Sequence, residues 1–537
     1  MDNVSLVRQM SIADLFGVDS YSHPSSDFNY RDALPPVEIT SFQRQAAKRH
    51  FGVHGYFTKQ VWSVVRAYIN VFTQPGDVVL DPFGGSGVTA IEALMLRRRA
   101  VHVDLNPLSQ FIVQTLLTPV DFNALEQQFK AVMQAFAAER PRADEDIRRI
   151  LAHYDYPRGI PLPRNADVET IEQLFTPKQL AELALLKHLI GQCQETAVRQ
   201  HLLLMFSGLL NKINRTYHAS AGRSEGRGDS GMFRYYRYRI AHSSPELEIT
   251  TVFQSRFKKV LAAKKELLPI TDGGAVAQSI LQGSATDLYL LRDESVDYIY
   301  TDPPYGSKIP YLDLSIMWNA WLGLPVTKGS RAEEAIEGGE NKKTKADYFR
   351  ILAASIEEMY RVLKYDRWLS FVFAHSDPSY WHMIVDTAEK AGFEYVSVTR
   401  QNNGQHSFKK RQNPFSVLSG QLILNFKKVY NPKRRKSYTN SIDVQTVIMA
   451  TTEAVIERHN GATVEQINDA LVIQGLELDM LDALSQHYDD LTQLLRKHFD
   501  CGCDGRWYFR GDKPQIGHKD SVSIVSKNPI FLVGGVS

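Results

Sequence analysis

Short apolar runs, each closed by an acidic or small residue, recur along two stretches of the chain, with helix-periodic segments between them. Val78-Val79-Leu80 ends at Asp81, Ala100-Val101-His102-Val103 ends at Asp104, and Val296-Asp297-Tyr298-Ile299-Tyr300 runs into Thr301-Asp302. Trp368-Leu369-Ser370-Phe371-Val372-Phe373 and Gln421-Leu422-Ile423-Leu424-Asn425-Phe426 add two further strand patterns, and residues 89–94 and 346–363 read as helices. Strands that alternate with helices predict a mainly parallel, doubly wound α/β sheet with its ligands at the carboxyl ends of the strands. From about 122 to 215 the rhythm turns wholly helical, as in Leu125-Glu126-Gln127-Gln128-Phe129 and Leu183-Ala184-Leu185-Leu186.

These shifts divide the chain into five parts. Residues 1–50, polar and aromatic with Pro35-Pro36, read as an N-terminal arm. Residues 51–115 form the first half of the α/β core, 116–275 a helical insertion, and 276–430 the second half of the core. Residues 431–537 read as a small C-terminal domain behind the basic stretch Asn431-Pro432-Lys433-Arg434-Arg435. Helices near 443–459, 463–474 and 479–498, followed by a short strand at Gly505-Arg506-Trp507-Tyr508, suit a winged-helix-like module; a helical dimerisation or packing module suits them equally.

Composition narrows the class. At 537 residues and 43% hydrophobic content the chain has ample material for a large core in several domains. Its formal charge is only +2, so any nucleic-acid contact must come from a local basic surface. Three cysteines, Cys193, Cys501 and Cys503, are too few and too unevenly spaced for a disulfide framework, and no second cysteine pair completes a zinc pattern, so no metal is expected. The first 18 residues carry Asp and Arg among their apolar positions, and no uninterrupted apolar stretch approaches 18 residues. A signal peptide and a membrane span are not expected, and a cytoplasmic, nucleoid-associated location is.

The candidate chemistry sits at the strand ends. Asp81-Pro82-Phe83-Gly84-Gly85-Ser86-Gly87, between a strand and a helix, permits close backbone approach to a cofactor, and Asp104, about twenty residues on, is placed to bind ribose hydroxyls. Asp302-Pro303-Pro304-Tyr305 presents a carboxylate, backbone carbonyls and an aromatic face, the groups needed to hold a planar exocyclic amine. The lone pair of such an amine is delocalised into its ring. Asp302 can accept one N–H and the carbonyl of Pro303 the other, drawing the nitrogen towards tetrahedral geometry, while Tyr305 stacks on the base.

These residues resemble the S-adenosylmethionine-dependent DNA amino-methyltransferases that modify adenine N6 or cytosine N4. The cofactor motif of that family is similar to 81–87, and its catalytic motif, in the adenine-favouring form, is similar to Asp302, Pro303, Pro304 and Tyr305. Phe57-Thr58-Lys59 resembles the segment that closes over the methionine end of the cofactor, and Gly283-Ser284-Ala285-Thr286-Asp287 the strand end beside its adenine. The resemblance covers roughly 40–115 and 280–428. It implies a Rossmann-like fold and S-adenosylmethionine bound by Phe57, Thr58, Lys59, Asp81, Pro82, Phe83, Gly84, Gly85, Gly87, Asp104 and Asp287. It further implies methylation of a flipped base in double-stranded DNA, adenine N6 favoured, in restriction-modification or phage defence, with a cognate endonuclease or defence-system subunits as possible partners.

The order of the two motifs makes 116–275 the candidate recognition region. Within it, 212–239 holds Lys212, Arg215, Arg223, Arg227, Arg234, Arg237 and Arg239 against Glu225 and Asp229, so seven minus two gives +5. Tyr235, Tyr236 and Tyr238 are interleaved. Basic side chains neutralise phosphates and tyrosines stack on unpaired bases. A second basic loop, Lys409-Lys410-Arg411, follows Asn402-Asn403-Gly404-Gln405-His406. His54, His102 and His375 read as structural. Three function classes remain open: the DNA enzyme, with cytosine N4 as its variant; a transfer-RNA guanine-N2 methyltransferase, since Gly306 follows Tyr305; and a non-catalytic DNA-binding protein on the same fold.

Overall fold

Seven strands build the central sheet of the computed structural model: β1 (Val78–Asp81), β2 (Arg99–Asp104), β3 (Gln278–Gln282), β4 (Val296–Thr301), β5 (Leu363–Phe373), β6 (Phe393–Gln401) and β7 (Gln421–Lys428). The structure describes residues 49–219, 228–271, 278–307, 309–401, 421–435, 443–486, 491–502 and 504–511. Arg223, Arg227, Lys409, Lys410 and Arg411, the 402–406 segment, Cys503 and the arm up to residue 48 lie outside the described residues.

The strand order is β3-β2-β1-β4-β5-β7-β6. β1 pairs in parallel with β2 and β4, β2 with β3, and β4 with β5, whereas β7 runs antiparallel between β5 and β6. The sheet is thus mainly parallel and doubly wound, as the alternating pattern predicts. β1 and β4 are buried along their whole length, which is why they read as near-continuous apolar runs.

Alternation sends the strand side chains into two cores. Val79, Ala100, Tyr298 and Tyr300 face one layer, formed by helices Trp62–Phe72, Val88–Met95 and Pro107–Leu117. Helices Phe122–Glu139, Pro177–Gly191, Thr196–Leu209 and Ile249–Thr271 thicken that same layer. Val78, Leu80, Val101 and Ile299 face the other, packed by helices Lys345–Val362 and Pro378–Ala391.

A third apolar cluster, around Ile448, Ile467, Leu495 and Trp507, belongs to helices Val444–His459, Val464–Glu477 and Leu491–His498 and the two-stranded pair 500–501 with 507–508. Val472 and Leu476 of this region join the sheet's second core. Arg435 pairs with Glu389 at 3.0 Å and Asp479 at 2.9 Å, and Arg400 with Asp469 at 2.6 Å, so charged contacts frame the apolar junction.

Candidate functional site at the strand ends

The chain steps outwards from β1 to β2 and β3, then returns to lay β4 against the opposite edge of β1. The crevice at that reversal, beyond the carboxyl ends of the strands, is where an open α/β sheet binds ligand. Asp81 ends β1, Asp104 ends β2 and Asp302 follows β4, so the reversal brings three carboxylates to one place.

Two glycines of the first loop are there for space. A Cβ on Gly84 would stand 2.1 Å from the His102 Nδ1 atom, and Gly87 adopts φ +79° with Val113 Cγ2 only 2.5 Å from where its Cβ would be. The loop therefore lies tight against β2 and against helix Pro107–Leu117. In that position the Gly85 N–H donates to Asp104 Oδ2 at 2.7 Å, and the Asn106 N–H donates to Oδ1 at 2.7 Å. Asp81 accepts from Phe83 N–H, from Thr89 Oγ1 at 2.7 Å and from Thr301 Oγ1 at 2.9 Å. Burial outweighs these bonds, and both carboxyls titrate above their ordinary value, at about 6.

On the β4 side, Asp302 Oδ2 accepts from Gln60 Nε2 at 2.5 Å and Oδ1 from the Tyr305 hydroxyl. Gln421, at the start of β7, donates to the Tyr305 oxygen at 2.7 Å, and the Tyr305 ring stands edge-on to Phe373 at 5.1 Å. Burial raises the Asp302 carboxyl to about 7. The Pro304 carbonyl accepts from the Tyr348 hydroxyl at 2.6 Å. Asp302 is thus a half-buried, fixed acceptor, held by groups that donate to it.

One pocket joins these parts. Phe57, Thr58, Lys59, Asp81, Pro82, Phe83, Gly84, Gly85, Asp104, Asp302 and Pro304 line it, as do Ser284, Ala285 and Thr286. Gly87, Pro303, Tyr305 and Asp287 do not; Asp287 is solvent-exposed beyond the rim. Gln60, Asn106, Tyr311 and Glu334 line it without having been singled out in the sequence. Glu334, raised to about 7 by burial, accepts the Leu312 N–H at 2.9 Å. No periodicity or motif marks Gln60 or Glu334. The nearest signal is that Gln60 immediately follows Phe57-Thr58-Lys59. His54 and His102 are buried and held near a pKa of 3 by desolvation, hence neutral.

The basic segment is more divided than its spacing predicts. Arg239 is exposed and stands over the Tyr235 ring at 4.8 Å, where Arg234 also lies at 5.3 Å. Arg237 is engaged with Asp167 at 2.6 Å. Tyr238, expected to stack on a base, is corrected by the structure: it is fully buried, and its hydroxyl donates to the Leu314 carbonyl at 2.6 Å, because the chain turns inward there to seal the aromatic layer. Among the described residues no group of three or more His, Cys, Asp and Glu could hold a metal ion, and no helix is long and apolar enough to cross a membrane.

Comparison with known proteins adds an independent line. Residues 27–111 match the DNA methylase family model for N6 and N4 enzymes. The type II methyltransferase M.MvaI of Kocuria varians is 21% identical over 276 residues, 49% of this chain and 55% of its own. M.MjaII of Methanocaldococcus jannaschii is 18% identical, over 60% of this chain and 72% of its own. M.BsoBI of Geobacillus stearothermophilus is 20% identical, over 52% and 54%. The chain spans about half the length of the first and third of these relatives. The family model spans the glycine loop at 81–87 and the relatives align with 49–60% of the chain, so the chain is similar to N6/N4 DNA amino-methyltransferases, a family whose cofactor is S-adenosylmethionine.

Proposed function

We propose that this protein methylates the exocyclic amine of a base flipped out of double-stranded DNA, with adenine N6 as the preferred target. The observation that carries the reading is the position of Asp302: a half-buried carboxylate just beyond the end of β4, within the same pocket as Asp81 and Asp104. The names of the relatives, all type II methyltransferases, support DNA as the substrate and modification in a restriction or defence setting.

The residues present fit the cofactor. Gly84 and Gly85 give a floor without side chains, Asp104 lies where ribose hydroxyls would be held, and Asp81 offers negative charge to the cationic amino-acid end. When bound, S-adenosylmethionine supplies a methyl group activated by sulfonium. The chain supplies the rest. Asp302 accepts one N–H of the target amine in place of Gln60, and the Pro303 carbonyl accepts the other, since that of Pro304 already serves Tyr348. Two acceptors localise the nitrogen lone pair for attack, and Asp302 then opposes the positive charge that reaches the nitrogen with the methyl group until one amine proton is lost to the carboxylate or to solvent; this is electrostatic preorganisation. An aspartate at 302 favours adenine.

The test is methyl transfer from radiolabelled S-adenosylmethionine to duplex DNA and, in parallel, to transfer RNA. Label in N6-methyladenine of DNA is the expected result. Label confined to RNA guanine, or cofactor binding without transfer to either, overturns the proposal.

A further inference from the structure

Arg256 lies on helix Ile249–Thr271, only 8% exposed, and none of the ion pairs among the described residues includes it. Its side chain runs along helix Thr196–Leu209, with Cδ 3.3 Å from where a Cβ on Gly208 would be. The neighbouring Ser207 hydroxyl bonds the His54 Nε2 atom at 2.7 Å, and the carbonyl of His54 accepts from Lys59 Nζ at 2.6 Å. Lys212, half-buried, reaches over the Tyr217 ring at 5.9 Å, and the exposed Lys259 follows Arg256 by one helical turn. Burial holds Arg256 below its ordinary value, and its charge further depresses Lys59, Lys212 and Lys259. The Arg256 charge thus opposes three lysines here, with no carboxylate of the described residues paired to Arg256, Lys212 or Lys259.

An unneutralised buried guanidinium is costly to the fold, so its retention asks for an anion from outside. The position identifies which. Of these cations Lys59 lines the pocket, tied to the cluster through the His54 carbonyl and Ser207, and its chain neighbour Gln60 donates to Asp302, so the cluster meets the pocket on the side where a target amine would sit. We propose that Arg256, Lys212 and Lys259, with Lys59 at the inner edge, form a seat for a backbone phosphate of the DNA strand whose base enters the pocket. This rests on the DNA reading above. A guanidinium offers a fixed fork of donors to phosphate oxygens, and the lysines supply charge; the seat would hold the strand at the base pocket without reading sequence.

The test measures duplex DNA affinity against salt for the full chain, for Arg256→Gln, and for the double variant Lys212→Gln with Lys259→Gln, whose positions are less buried. For each variant the slope of log affinity against log salt should fall by about 0.9 per lost phosphate contact, with S-adenosylmethionine affinity unchanged. Melting temperature should hold or rise, since removing unpaired like charges relieves repulsion; a merely structural role for these side chains would lower it. Wild-type affinity and slope in the double variant overturns the seat. So does stabilisation of the wild type by inorganic phosphate, absent in the variants, with the duplex slope unaltered, which assigns the cations to a small free anion. If instead the unaltered protein neither binds nor methylates DNA, the proposed function fails and not the seat alone.

Discussion

The two ends of the pocket are built in different ways. On the β1–β2 side the carboxylates are held largely by their own neighbourhood, Asp104 by the N–H groups of Gly85 and Asn106 and Asp81 by Phe83 and Thr89, with the Thr301 hydroxyl of β4 as a distant donor to Asp81. On the β4 side the partners come from far along the chain. Gln60 precedes Asp302 by 242 residues, and Gln421 follows Tyr305 by 116. In the proposed reading, the cofactor end rests mainly on one loop and one helix start, whereas the end that would position the base is assembled from the loop before helix Trp62–Phe72, the β4 exit and the late strand β7, and it forms only when the sheet is complete.

The largest effect expected from breaking this arrangement is at Asp302. Asp302→Ala removes the preorganised acceptor and should lower the methyl-transfer rate by about 10²–10³, while S-adenosylmethionine still binds. Retained rate in single-turnover kinetics would return 301–305 to a structural turn. On the other side, Asp104→Ala should weaken cofactor binding by about 1–3 kcal/mol through loss of charge-assisted hydrogen bonds, read by calorimetry; an unchanged affinity removes Asp104 from the ribose.

The pH dependence follows next in size. The ionised Asp302 is the stronger acceptor and the form that opposes positive charge on the nitrogen, and its carboxyl titrates at about 7, so kcat/KM should fall about tenfold per unit as pH drops below that value. Asp302→Asn keeps an acceptor oxygen that cannot titrate and should flatten this limb. The stability effect has the opposite sense. A carboxyl whose folded pKa is raised favours folding below its unfolded value near 4, and the advantage is lost as pH rises through about 6 for Asp81 and Asp104 and about 7 for Asp302. The ligand-free protein should therefore unfold less readily near pH 5 than near pH 8, in denaturant titrations. The smallest effect is Gln421→Leu, which deletes one hydrogen bond to Tyr305 and should cost about 0.5–1.5 kcal/mol of stability without altering cofactor affinity; a loss of cofactor binding would show that the two ends are not separable.

The same contrast explains what could be read from the sequence. The strand ends Asp81, Asp104 and Asp302 were legible because each closes a short buried run, and the loop glycines because close approach to His102 and Val113 admits nothing larger. The mainly parallel sheet followed from alternation; the antiparallel place of β7 between β5 and β6 did not, because an apolar run carries no direction. Gln60 and Glu334 were missed because an isolated polar residue in a loop has no period. Tyr238 misled because interleaving of tyrosine with arginine looks alike whether the rings point to a nucleic acid or into a core. Arg256 was invisible within an ordinary helical pattern, its lack of an ion-pair partner among the described residues being a property of three separate elements.

The most direct test of the central claim is methylation-sensitive sequencing of DNA from cells that express the chain, alongside cells that express Asp302→Ala. The account expects N6-methyladenine confined to one sequence context in the first and its loss in the second, with both proteins folded and binding S-adenosylmethionine. An unmodified genome in the first, or the same modification persisting in the second, would contradict it.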